Sequence, residues 1–192
     1  MNNVPVHFSV FINIGLAFIP FALAYFLFKW SKRRNAIWWI TSLAFIAFLP
    51  NSAYVLTDII HYIAAVKSPD ISSSLLVLVI TPLFLVYMVV NFEFYVVSIS
   101  WAHQYIKQQQ WHGLAKIFVP SIHFLCAIGV YLGRFQRLES ADILRHPTIV
   151  FTDISLDLTH EKSVLMILGL FVFYYGFYLL FGFVNKKWAQ HK

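Results

Sequence analysis

Asp58 and His61 stand three residues apart, so on a helix they share one face. A carboxylate beside an imidazole orients the ring or keeps it charged, which suits acid–base work or ion coordination. At 100° per residue, Asn51, Tyr54, Thr57, Asp58 and His61 form one polar stripe, with Leu56, Ile59, Ile60 and Ile63 opposite. The plain alternative is a stripe that meets only headgroups and water. A second stretch runs from Gly129 past Arg134, Arg137 and Asp142. Continued as a helix, it sets Arg134, Arg137 and Arg145 on one face and Glu139, Asp142 and His146 on another. Guanidinium groups take phosphate or carboxylate in a bidentate fork, so this stretch points to anion binding. The plain alternative is pairing with Glu139 and Asp142, which is worth little at an exposed surface. Gly129 and Gly133 form a GxxxG, which permits close helix approach.

The elements that must carry these residues are set by composition. Of 192 residues, 60% are hydrophobic and only 11% charged, with 20 Phe, 10 Tyr and 6 Trp. Mean hydropathy is +0.72. Soluble domains hold about 25% charged residues, and disordered chains are poor in aromatics, so both classes are excluded. A single cysteine, Cys126, rules out an internal disulfide framework or a Cys-based zinc cluster. Five apolar stretches approach the roughly 20 residues that a membrane-crossing helix needs: 8–28, 35–56, 74–98, 117–133 and 164–184. The fold expected is an all-α polytopic transmembrane bundle of five spans, in a single domain. Continuous apolar runs argue against a transmembrane β-barrel.

Nine of the fourteen Lys and Arg lie on one side of these spans, and seven of the eight acids on the other. The positive-inside rule then puts the N-terminus outside and the C-terminus in the cytoplasm. Met1–His7 holds no Lys or Arg and the basic cluster follows the first span, which is the pattern of a retained anchor and not of a cleaved signal. The net charge of +6 follows from this topology and meets anionic lipid; nucleic acid is not an expected partner.

Glu93 is the one acid inside a span, and His123 sits at similar depth in the next span. Intramembrane charges usually face a partner, so the two are expected to face each other. The alternative has His123 on a backbone carbonyl and Glu93 on Asn91, on water or reaching the interface. The opposite charges of Asp58 and of Arg134 and Arg137 lead to a further expectation. A helix break at Pro50 lets the first stretch fold against the second, so that Asn51, Tyr54, Thr57, Asp58, His61, Arg134, Arg137 and Asp142 line one outer pocket.

The segment Phe48-Leu49-Pro50-Asn51-Ser52-Ala53-Tyr54-Val55-Leu56-Thr57-Asp58-Ile59-Ile60-His61 resembles the LPNAPYxxTDxxH signature of a bacterial membrane-protein family, domain of unknown function 1361. Tyr131-Leu132-Gly133-Arg134-Phe135-Gln136-Arg137-Leu138-Glu139-Ser140-Ala141-Asp142 is similar to that family's second signature, GRFxRxNSWD. Departures fall at Ala53, Glu139 and Ala141, where the family tends to have proline, asparagine and tryptophan; Glu139 weakens any metal site built with Asp142 and His146. The resemblance implies a small multi-pass protein of the bacterial cytoplasmic membrane, with no established activity.

No nucleotide, zinc-protease, CxxC or serine-hydrolase motif is present. Neither a cofactor nor a metal is expected, and whether the protein is an enzyme stays open. Three functions compete: an enzyme or binding protein for an anionic, phosphate-bearing or lipid-linked ligand; a transporter subunit; and a structural partner of other membrane proteins or of a second copy.

Overall fold

In the computed structural model, residues 6–31, 33–69, 71–136 and 159–190 are described, together with 148, 152 and 156; among these, side chains are described from Asn13 to Trp188 except that of Gln136. Every regular element among them is helical. Helix α1 (Val6–Tyr25) widens into a π-type turn over Phe26–Trp30. Helix α2 (Ala36–Tyr54) leads through a tight 3-10 turn, Val55–Asp58, into α3 (Ile59–Val66). Helix α4 (Ser73–Leu75) runs through another wide turn, Leu76–Ile80, into α5 (Thr81–Gln108). Helix α6 (His112–Tyr131) ends in a third wide turn, Leu132–Gln136, and α7 (Glu161–Gln190) completes the bundle.

Local chemistry explains the boundaries. The side chain of Asn35 accepts from the Trp38 amide at 3.0 Å and caps α2. The wide turn after α1 passes the Leu27 carbonyl to the indole of Trp38, which donates to it at 3.2 Å. Gln110, at φ 60°, reverses the chain between α5 and α6.

Five helical stretches are long and apolar enough to cross a membrane: Asn13–Trp30, Ala36–Val66, Ser73–Gln108, His112–Phe135 and Glu161–Trp188. All five run beyond the spans expected from hydropathy at one end or both, because the apolar window stops at the first polar residues and the helix does not. The expected break at Pro50 is also displaced. Proline removes one backbone donor, yet α2 continues to Tyr54 and the chain tightens only at Val55–Asp58. The proline ring is held from outside the helix. It lies against Gly129 of α6, where an added Cβ would come within 2.7 Å of Pro50 Cγ.

Helix α1 packs on α2 and α5, and α6 packs on α2 and α7; α7 leans mainly on α6 and only lightly on α5. The core between them includes Leu27, Leu49, Phe92, Tyr95, Ile99 and Tyr174, all completely buried. The outward faces are apolar too. Leu78, Leu83 and Val172 are 74%, 65% and 66% exposed, an arrangement that water penalises and lipid accepts. The two ends differ. Trp30, Trp38, Trp39, Trp101, Trp111 and Trp188 all lie where α1, α5 and α7 end and α2 and α6 begin. Tryptophan collects at membrane–water boundaries, so this end marks one boundary. Asp58 and Arg134 lie at the other end.

Candidate functional site

The tight turn after α2 delivers Asp58 into the bundle. Thr57 shapes that turn: its hydroxyl donates back to the Tyr54 carbonyl at 2.6 Å. Nearby, Ser52 ties α2 to α1 by donating to the Ala17 carbonyl at 2.6 Å. Asp58 is only 4% exposed, a position that a carboxylate tolerates only when its lone pairs are satisfied. They are. Oδ2 accepts from Asn13 Nδ2 at 3.1 Å and from the Tyr87 hydroxyl at 2.8 Å. Oδ1 accepts from a terminal guanidinium nitrogen of Arg134 at 3.0 Å. One carboxylate thereby joins α1, the turn after α2, α5 and the turn after α6.

Arg134 reaches this point because Tyr131, in the last turn of α6, is anchored: its hydroxyl donates to Ser163 Oγ at 2.9 Å. The guanidinium then lies over the Tyr54 ring, 4.4 Å from its centroid, a cation–π arrangement. Its Nε is buried and has no hydrogen-bond partner among the described residues, and the same holds for the hydroxyl of Tyr174. Tyr174 lies within electrostatic range of Arg134, Tyr54 and Asp58. Among the described residues, the Asp58–Arg134 pair thus keeps one buried donor, Arg134 Nε, without an acceptor.

The expected residues are distributed unevenly around this centre. Asp58, Arg134 and Tyr54 come together. Thr57 is occupied with its own backbone. Asn51 is half-buried and makes no side-chain hydrogen bond to a described residue. His61 sits at the rim: its side chain is 61% exposed and Nε2 is 4.0 Å from Asp58 Oδ1, too far for a hydrogen bond. Arg137 and Asp142, with Glu139, Arg145 and His146, lie outside the described residues. Asn13 and Tyr87 were not anticipated, and no charge or motif marks either of them. No group of three or more metal-ligating side chains occurs among the described residues.

The intramembrane pair is not formed. Glu93 accepts from Asn185 Nδ2 of α7 at 2.6 Å. His123 is buried, its Nδ1 2.7 Å from the Val119 carbonyl, and its ring is boxed by Tyr95, Tyr175 and Tyr178. The depths match, but α5 turns Glu93 toward α7 while α6 turns His123 into the aromatic core.

The family described as "Protein of unknown function (DUF1361)" matches residues 12–176. The chain belongs to this family. Both polar stretches, and Asn13 and Tyr87 with them, fall inside the part that matches DUF1361. No curated protein and no solved structure matches the chain. The DUF1361 match and the five apolar helices together describe a multi-pass membrane protein of unknown molecular function.

Proposed function

We propose that the Asp58–Arg134 centre is a binding site for an anionic, phosphate-bearing or lipid-linked headgroup, on the extracytoplasmic face of the bacterial cytoplasmic membrane. The observation that carries this reading is the orphaned Nε of Arg134. Asp58 cancels the guanidinium charge through one terminal nitrogen, while the Nε donor has no acceptor among the described residues. A buried N–H without an acceptor costs about 1–3 kcal/mol, and an oxyanion placed there removes that cost. The Tyr174 hydroxyl, beside Tyr95, is a second buried donor without an acceptor among the described residues. The Arg134 side chain is 15% exposed as a whole, although its Nε is buried. The excess of basic residues at the tryptophan end supports the orientation, with the Asp58 end outside.

The test is binding of glycerol 1-phosphate to the detergent-purified full chain, followed by ligand-induced thermal stabilisation. Wild type is expected to be stabilised. Arg134→Lys keeps the charge but loses Nε and the planar fork, and should weaken binding about tenfold or more. Tyr174→Phe should weaken it severalfold while the apo protein keeps its melting temperature. Wild-type protein that shows no stabilisation, or Arg134→Lys that binds unchanged, refutes the site. A second reading, a purely structural latch between helices, is favoured by one observation: Asp58 already accepts three hydrogen bonds. Under that reading Arg134→Lys lowers stability and no ligand shifts it.

A further inference from the structure

Because α7 leans on α6 and stands off from α5, a wedge-shaped cavity of about 1110 Å³ opens among the three helices at the tryptophan end. It is far from the Asp58 centre in both position and chemistry. Trp101, Tyr175, Tyr178, Leu179 and Phe183 contribute an apolar and aromatic wall. Lys107, Lys116 and Lys186 line the same cavity, one from each helix. All three are exposed, and none lies within ion-pair distance of an acid among the described residues. The nearest carboxylate that the lining engages is Glu93, which accepts from the lining residue Asn185. The lining itself carries these three lysines and no acid, so its charge is positive.

We infer that this cavity binds one anionic phospholipid, with the headgroup among Lys107, Lys116 and Lys186 and the start of an acyl chain along the Trp101–Phe183 wall. Three observations converge on a lipid. The cavity sits at the boundary marked by the tryptophans, where headgroups are. Its wall is apolar, which a soluble anion does not need. Its cations come from three separate helices, and no acid among the described residues neutralises them. Basic pockets between membrane helices select anionic headgroups in this way, each basic residue near the surface adding affinity.

The experiment uses the full chain in phosphatidylcholine nanodiscs with a trace of photoreactive phosphatidylglycerol, and the crosslinked peptides are mapped. Adducts should fall on Val97–Pro120 and Tyr175–Lys186, and unlabelled phosphatidylglycerol should compete for them far better than phosphatidylcholine. Lys107→Gln, Lys116→Gln and Lys186→Gln should each cut labelling roughly fivefold, and Lys→Arg at the same positions should retain it. These side chains are exposed, so unchanged melting temperatures are expected. Equal competition by the two lipids, adducts spread evenly over all helices, or a triple Lys→Gln variant that labels like wild type would each overturn the inference. So would displacement by millimolar inorganic phosphate with no preference between lipids, which would make the cavity a site for a soluble anion. Arg134→Lys should leave this labelling unchanged, so failure at one end of the bundle is separable from failure at the other.

Discussion

Taking the charge from Asp58 strands a guanidinium that is largely out of water. Asp58→Asn should therefore lower stability by about 3 kcal/mol, the lower part of the range for breaking a buried pair. Tyr87→Phe removes one donor to the same carboxylate and leaves the ion pair whole, so about 1–2 kcal/mol is expected. Chemical unfolding of the full chain in detergent measures both, and Tyr87→Phe as damaging as Asp58→Asn would contradict the ion pair's central role. Asp58, Tyr54 and Arg134 were legible as members of one centre because each stands in a charged or polar stretch near a span's end, and opposite charges there must meet. Asn13 and Tyr87 were not, since each is an isolated polar residue in an apolar run, 45 and 29 residues from Asp58. Glu93 and His123 show the complementary limit. Counting residues along a helix gives depth, but which way a side chain faces depends on how its helix is rotated in the bundle, and only packing decides that.

Among the helices, the contact of Pro50 with Gly129 sets the spacing of α2 and α6. A methyl group at Gly129 would stand 2.7 and 2.9 Å from two atoms of a rigid ring, which has no rotamer by which to yield. Gly129→Ala should cost about 1–3 kcal/mol through overpacking. Gly176→Ala is the matched control: nothing lies within 4 Å of a Cβ there, so the change should be neutral or stabilise by up to about 1 kcal/mol. Thermal unfolding of the two variants side by side checks the pair, and equal effects would remove the claim of a close approach. The five helices themselves were readable from apolar length alone. The course of the second was not, because proline signals a lost donor but does not say whether a neighbouring helix will brace the ring. Here Gly129 does, and the chain tightens five residues later, where Thr57 can close the turn on Tyr54.

Across the whole molecule, the proposed sidedness rests on where the basic residues lie. Cys126 is buried, so it offers no accessible thiol, and a Cys126→Ala background allows single reporters. Lys67→Cys should react with a membrane-impermeant maleimide in intact cells, and Lys187→Cys only after permeabilisation. The reverse result would exchange the two faces and move the Asp58 centre to the cytoplasm. The distribution of aromatic side chains has an optical consequence. All six indoles lie at one end, whereas no indole lies at the Asp58 centre, which the phenols of Tyr54 and Tyr87 adjoin. From Tyr87 to Trp101 is about 21 Å along α5, at 1.5 Å per residue. Excited near 295 nm, the protein is a one-sided lamp. Its emission will shift when the wedge among α5, α6 and α7 is filled or when that leaflet changes composition, and will stay constant while the Asp58 centre is occupied.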